Sequence, residues 1–349
     1  MLQDVKTILQ IALERKATDI HLVTGRPPIL RVEGELTPVD GGALTHEIIK
    51  GIIYGLLDDR QKVALETHKD LDFSYFELTG AMLRVNAHYE KGRLAATLRI
   101  IPFALRLEKD LNLPPIVAQL AAKRKGLIIF AGSSGSGKTT SMTYLIDRIN
   151  SNYKRKIVTI EDPIEYIHQS KQSLIIQREV GNDTESFSSA LKYALRQDPD
   201  VVMVGEMRDL ESISMALTTA ETGHLVMTTV HSPNALETVN RIIDVHPADK
   251  RDQIYVQLAE NLLAVVAQML VPRQDGKGRI LATEVLYGTM PVRNMIRRGA
   301  LIEIRGQMDT EQQSESHTYE KCLSDLYKKG IISMETAKEY ATSPHMLKF

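Results

Sequence analysis

An α/β fold with a mostly parallel sheet, preceded by a smaller α+β domain, is what this sequence of 349 residues predicts. Three observations carry that prediction. Residues 132–140 read GSSGSGKTT and sit between a short apolar run and an amphipathic helical pattern. From Pro114 onward, strand-like and helix-like segments alternate, as they do when parallel strands are joined by crossover helices. Ahead of them, residues 82–101 alternate strictly between apolar and polar side chains around Lys91-Gly92, the mark of an antiparallel hairpin.

Composition narrows the class further. This length divides most simply into two domains, and 43% apolar residues supply side chains enough for two cores. Lys+Arg (43) and Asp+Glu (44) nearly cancel, which removes the simplest electrostatic case for a nucleic-acid or anionic-membrane binder. Cys322 is the only cysteine, so neither an intrachain disulfide nor a cysteine-built zinc site can form, as expected of a protein in a reducing cytoplasm. The first residues lack a signal-peptide layout, and no run approaches the ~18 apolar residues of a membrane span. Any membrane role is therefore expected to pass through a partner.

Val5, Ile8, Leu9, Ala12 and Leu13 fall on one face of an amphipathic helix. Residues 19–23 and 29–32 read as strands around the turn Gly25-Arg26-Pro27-Pro28, and residues 47–57 as a second helix. In the hairpin, Leu83, Val85, Ala87, Tyr89, Leu94, Ala96, Leu98 and Ile100 share one face. Arg84, Asn86, His88, Glu90, Arg93, Ala95, Thr97 and Arg99 share the other. A two-residue turn sets Glu90 opposite Arg93 and Arg84 opposite Arg99. Two like charges in that register repel unless an anion lies between or above them, or unless both splay into water. Ile101-Pro102 ends the hairpin, and the division expected is a domain over 1–104, a linker over 105–114 and a second domain over 115–349.

In the second domain, Gly132, Gly137, Lys138 and Thr139 satisfy the pattern G-x-x-x-x-G-K-[ST] of a phosphate-binding loop. Its residues, Gly132, Ser133, Ser134, Gly135, Ser136, Gly137, Lys138, Thr139 and Thr140, are expected to cradle a phosphate chain with backbone N–H groups. Lys138 meets the terminal phosphates and the Thr139 hydroxyl meets Mg²⁺. Residues 127–131 form the apolar strand before the loop. Met142, Leu145, Ile146 and Ile149 recur at helical spacing after it, so the helix dipole faces the phosphates.

Further strands are expected at 157–160, 201–204 and 225–230, each with polar residues at its exit, where the ligand crevice of an open parallel sheet lies. Glu206 leaves the third strand after Gly205 and is the expected base for an attacking water. Arg208 is expected either to neutralise phosphate charge or to pair with a neighbouring acid. Glu161, Asp162 and Glu165 crowd one turn, and beside a triphosphate they need a cation; holding Mg²⁺ through water is their expected task. His224 and His231 bracket the fourth strand as candidate sensors of the γ-phosphate.

Taken in order, GSSGSGKTT, TIEDPIEY, RQDPDVVMVGEMRD and ETGHLVMTTVHS resemble the Walker A, Asp, Walker B and His boxes of the secretion and type IV pilus ATPases. Within that superfamily the chain resembles the twitching-motility retraction ATPases over nearly its whole length. The resemblance implies a PAS-like N-terminal domain and a RecA-like ATPase domain, with ATP and Mg²⁺ as ligands. It implies a homo-hexameric ring on the cytoplasmic side, held peripherally to the inner membrane by a pilus platform protein. It also implies that Arg84 and Arg99 lie over the nucleotide phosphates. The chain departs from the family pattern in PVRNMIRRG (291–299), which begins with Pro and ends in Arg-Arg, and in the Thr-Thr of MTTVHS.

Three rival functions are distinguishable. Pilus-extension and type II secretion ATPases usually carry a four-cysteine zinc insertion, which one cysteine cannot build. A nucleic-acid translocase is disfavoured by the neutral charge and by 5% aromatics with no Trp for base stacking. A nucleotide-gated scaffold that hardly hydrolyses ATP would not need the acids present here.

Overall fold

Asp4 begins the first helix by accepting the Thr7 N–H at 2.8 Å, a cap that satisfies one of the donors a helix start leaves open. In the computed structural model, which describes residues 4–76, 82–101, 111–310 and 315–349, this helix, Val5–Glu14, turns Ile8, Leu9 and Ala12 inward. Leu13, expected on that face, is 47% exposed. The chain divides into two units, Met1–Ala104 and Leu105–Phe349. Of the expected 105–114 linker, residues 105–110 lie outside the described ones.

The first unit carries β1 (Asp19–Leu22), β2 (Ile29–Val32), β3 (Glu35–Pro38), β4 (Asp70–Phe76), β5 (Met82–Glu90) and β6 (Arg93–Ile101), with helices His46–Tyr54 and Asp59–His68 between β3 and β4. They form one antiparallel sheet in the order β3-β2-β1-β6-β5-β4. The helix expected over 47–57 stops at Gly55, which caps it. Helix Asp59–His68 buries only Leu65, so it has no apolar stripe to read; its start is fixed by a capping box between Asp58 and Gln61.

The hairpin register is the one a two-residue turn requires: Glu90 pairs with Arg93 and Arg84 with Arg99. Leu83, Val85, Ala87, Leu94, Ala96 and Leu98 are buried in the core of this unit. Ala95, placed on the polar face by alternation, is buried as well. The anion demanded by the two arginines is partly internal. Across β6 from Arg84, Asp19 pairs in register with Arg99, and Arg99 Nε donates to Asp19 Oδ1 at 2.9 Å. Thr18 Oγ1 donates to the other carboxylate oxygen at 2.8 Å. Arg84 has no such counter-ion among the described residues.

In the second unit, β7 (Gly126–Ala131), β8 (Lys156–Glu161), β9 (Leu174–Glu179), β10 (Val201–Val204), β11 (Leu225–Val230), β12 (Leu262–Pro272) and β13 (Arg279–Tyr287) make a sheet in the order β13-β12-β7-β11-β10-β8-β9. Every neighbouring pair is parallel except β12 with β13. Helices cover both faces, which is why β7, β10 and β11 are buried at every position and read as unbroken apolar runs. Leu127 and Ile129 face one core, Ile128 and Phe130 the other. Helix Lys138–Asn152 follows β7 and buries Met142, Leu145, Ile146 and Ile149 as their spacing predicts.

Asp19 supplies a direct check on the hairpin. Burial pushes its carboxyl pKa up, but hydrogen bonds from Thr18 and Arg99 and the Arg99 charge outweigh that, and the net pKa lies below the ordinary value. Its contribution to stability is therefore present above the unfolded-state pKa and lost as pH falls through the lower, folded one. Asp19→Asn is expected to destabilise the chain by about 1 kcal/mol at pH 7, the arginine end being largely solvent-screened, and to have no effect near pH 2. Urea denaturation at the two pH values measures it, and an equal loss at both would contradict the ion pair.

Candidate nucleotide site

β7 ends at Ala131, and the chain must then turn back over the sheet edge. At Gly132, with φ of +143°, an added Cβ would stand 2.4 Å from the Gln268 carbonyl oxygen and 2.5 Å from Ser136 Oγ, so only glycine fits. Gly135 and Gly137 take left-handed φ values of +74° and +94°. Gly137 caps helix Lys138–Asn152, whose first N–H groups open on to the loop. Lys138 is only 8% exposed. Its Nζ donates to the carbonyls of Gly132 at 2.8 Å and Ser133 at 2.9 Å. Burial lowers its pKa, while the charges of Glu206 and Glu165 pull it back up.

Glu206 follows Gly205 at the end of β10. One of its carboxylate oxygens lies 2.8 Å from Arg208 Nη2 and the other 3.4 Å from His231 Nε2. Of the two roles open to Arg208, pairing with a neighbouring acid is the one observed. The geometry is held from β11: Thr229 Oγ1 donates to the Gly205 carbonyl at 2.6 Å, and the Met207 N–H donates to the Thr229 carbonyl at 3.0 Å. Arg241 Nη1 donates to the His231 carbonyl at 2.8 Å, fixing the turn that carries the histidine.

His224 does not join this group within the chain. It precedes β11, at the edge of the sheet opposite the loop, where its carbonyl accepts the Gly126 N–H at 3.0 Å. Its Nδ1 lies 3.1 Å from the Thr219 carbonyl oxygen and 3.2 Å from Thr222 Oγ1. A strand rising about 3.3 Å per residue separates the two histidines by roughly 20 Å, so the expectation that both face one phosphate fails for His224.

Glu161 ends β8 and is 4% exposed. Its Oε1 accepts Thr159 Oγ1 at 2.6 Å and Gln177 Nε2 at 3.1 Å. Burial pushes its pKa up to about 7 despite those bonds. Gln177 also donates to the Tyr166 carbonyl at 2.8 Å and accepts the His168 N–H at 2.7 Å, and Glu179 accepts the Ile164 N–H at 3.0 Å. Two side chains spaced i and i+2 on edge strand β9 thus mould the turn that carries Asp162 and Glu165. Sequence reading missed both, because a polar pair on an edge strand looks like ordinary solvated surface.

These residues meet around one cavity of about 690 Å³. Ser134, Gly135, Gly137, Lys138, Thr139 and Thr140 line it from the loop, and Glu161, Asp162, Glu165, Glu206, Arg208 and His231 from the strand exits. Tyr166, Thr229, Leu111, Leu270, Arg279 and Leu281 line it too and were not foreseen. Gly132 and Ser133 act from behind, through the carbonyls that hold Lys138. The Thr139 hydroxyl, the buried Glu161 and the exposed Asp162 and Glu165 are hard oxygen donors; among the described residues no three such side chains close into a direct metal cage, which fits Mg²⁺ retaining much of its hydration. Arg84 and Arg99 belong to the N-terminal unit, side by side on β5 and β6.

Comparison with known proteins agrees with this description. Residues 106–337 match the family model for type II/IV secretion system proteins. The chain is 39% identical over 342 residues to the type IV pilus retraction ATPase PilT of Pseudomonas aeruginosa, covering 98% of this chain and 99% of that one. It is 37% identical over 345 residues to the type IV pilus ATPase PilU of the same organism, covering 99% and 90%. A crystal structure of the pilus retraction motor PilT with bound ADP superposes with a TM-score of 0.91 at 39% identity, covering 99% of this chain and 98% of that one.

The raised pKa of Glu161 has a sign that can be checked without nucleotide or metal. The folded state holds this proton more tightly than the unfolded state, so the contribution to stability is full below the ordinary value of 4.5 and is lost as pH rises through about 7. Glu161→Gln keeps an acceptor for Thr159 and Gln177 but cannot ionise. It is expected to exceed the parent in stability by roughly 3 kcal/mol at pH 8 and to match it at pH 4.5, by chemical denaturation in chelator. A gap independent of pH would contradict the burial of an ionising carboxyl.

Proposed function

The chain belongs to the type II/IV secretion system protein family, and on that premise we propose that it is a Mg²⁺-dependent ATPase motor that drives type IV pilus retraction. The observation that carries the catalytic half of this reading is Glu206, a carboxylate at the exit of β10 whose charge is felt by Lys138 inside one cavity. The retraction half rests on likeness to PilT across almost the full length of both chains, so that the N-terminal unit is shared along with the nucleotide core.

In this reading Lys138 exchanges its two carbonyl partners for the β- and γ-phosphate oxygens of ATP, while the loop N–H groups and the helix start hold the phosphate chain. Thr139 would hold Mg²⁺, with Asp162 and Glu165 receiving its bound waters; the ion neutralises phosphate charge. Glu206 accepts the proton of the attacking water. His231, close to the same carboxylate, responds to the phosphate that leaves. Of the two hairpin arginines, Arg84 is the better placed to take an anion, because Arg99 already shares the Asp19 carboxylate.

A homo-hexameric ring bound through an inner-membrane platform protein at the cytoplasmic face is the assembly we propose. Among the described residues no helix is long and apolar enough to cross a membrane, so contact with the membrane would run through that partner. Glu206→Gln is expected to keep nucleotide affinity while hydrolysis falls by roughly 10²- to 10⁴-fold, the usual contribution of a general base. Lys138→Ala should lose binding and turnover together. Phosphate release, nucleotide titration and the mass of the assembled ring would be measured on the same preparations. Near-normal turnover in Glu206→Gln would remove Glu206 from the chemistry.

A further inference from the structure

The segment between β8 and β9 brings Asp162 and Glu165 to the cavity, yet from Asp162 to Lys171 it makes no backbone–backbone hydrogen bond among the described residues. A chain with no ladder of its own takes its shape from the side chains that satisfy its polar groups. Two amides hold it, one toward each end. Asn150, 1% exposed in the helix that follows the phosphate-binding loop, donates to the Gln169 carbonyl at 2.8 Å and accepts the Lys171 N–H at 2.9 Å. That is the end away from the acids.

Gln177 works at the acidic end. In the parallel register of β8 and β9 it stands beside Thr159, and from there its Nε2 donates to Glu161 Oε1 at 3.1 Å and to the Tyr166 carbonyl at 2.8 Å. Its Oε1 accepts the His168 N–H at 2.7 Å. One amide thereby holds the chain both before and after Asp162 and Glu165. Glu179 offers the turn only an acceptor, for the Ile164 N–H at 3.0 Å, and a carboxylate in place of Gln177 could donate neither to the carbonyl nor to Glu161. The Tyr166 hydroxyl lies 3.4 Å from Thr140 Oγ1, so the turn that Gln177 holds abuts the loop next to Thr139.

We propose that Gln177 is the positioning residue of the acidic turn, keeping Asp162 and Glu165 where they can receive the waters of Mg²⁺ held at Thr139. Gln177 does not itself line the cavity, so it acts through the backbone that it holds. The assignment rests on the ATPase reading above. Groups that orient the oxygens around a metal contribute roughly 10- to 100-fold in metal affinity or activity. A merely structural amide would make Gln177 equivalent to Asn150, which holds the same segment.

Exchange and binding measurements on the full-length protein separate the two roles. Without nucleotide or metal, Gln177→Met, close in size but unable to replace these bonds, should speed exchange of the His168 amide by up to about 10-fold. The Lys171 amide, held by Asn150, should keep its protection. ADP in chelator should bind within about twofold of the parent affinity, while the factor by which Mg²⁺ tightens ADP falls by about 10-fold or more. Gln177→Asn, one methylene shorter and tolerated wherever a polar residue is, should lower that factor in the same way. Asn150→Ala should cost stability and keep it. A Mg²⁺ factor unchanged in both Gln177 variants, or lowered equally in Asn150→Ala, would overturn the assignment. So would a matching loss of ADP affinity in chelator, which would place the defect in the loop. ADP that fails to bind the unsubstituted protein, or that gains nothing from Mg²⁺ there, would instead overturn the ATPase reading.

Discussion

Gly132 lies against the backbone of β12 so closely that no side chain fits between them, and the rest of the larger unit depends on that approach. It lets the loop after β7 fold down over its own strand, which brings the Gly132 and Ser133 carbonyls under Lys138. It also ties the loop to Gln268, and through Gln268 to the start of the following helix. The phosphate-binding loop is thus wedged between two strands rather than suspended from one. Whatever shifts β12 shifts the loop.

Around that fixed point the charges are arranged by depth. Lys138 is buried and partly desolvated, so a phosphate that replaces its carbonyl partners meets a cation in a low-dielectric site, where attraction is stronger than in water. Glu161 is buried deeper and is held by Thr159 and Gln177, which suits it to organising the acidic turn more than to receiving water. Glu206 is intermediate, reachable from the cavity and braced on both oxygens by Arg208 and His231. The two carboxylates thus have different work, set by burial and by the donors around them.

Much of this was legible in the sequence because its signals were local. The four strands β7, β8, β10 and β11 are short apolar runs closed by Gly, Pro or acids, and their exits carry the chemistry that a parallel sheet gathers at one edge. The hairpin register followed from a two-residue turn and strict alternation, down to Arg84 opposite Arg99. What the sequence could not show was long-range. Asp19, eighty residues from Arg99 in the chain, is the counter-ion that alternation left unidentified. β12 follows its helix without a break, and an eleven-residue apolar run reads as helix or strand alike. His224 looked like a partner of His231 because seven residues are few in sequence, yet along an extended strand they span the sheet.

The central claim is that a nucleotide crosses β7 with its terminal phosphate toward Glu206. A structure of the full-length protein with Mg²⁺ and a non-hydrolysable ATP analogue tests it most directly. Lys138 is expected on the terminal phosphates, with an ordered water between the γ-phosphate and Glu206, and His231 near that phosphate while His224 of the same chain stays remote. A γ-phosphate pointing instead toward Leu270 and Leu281, with no water within reach of Glu206, would contradict it.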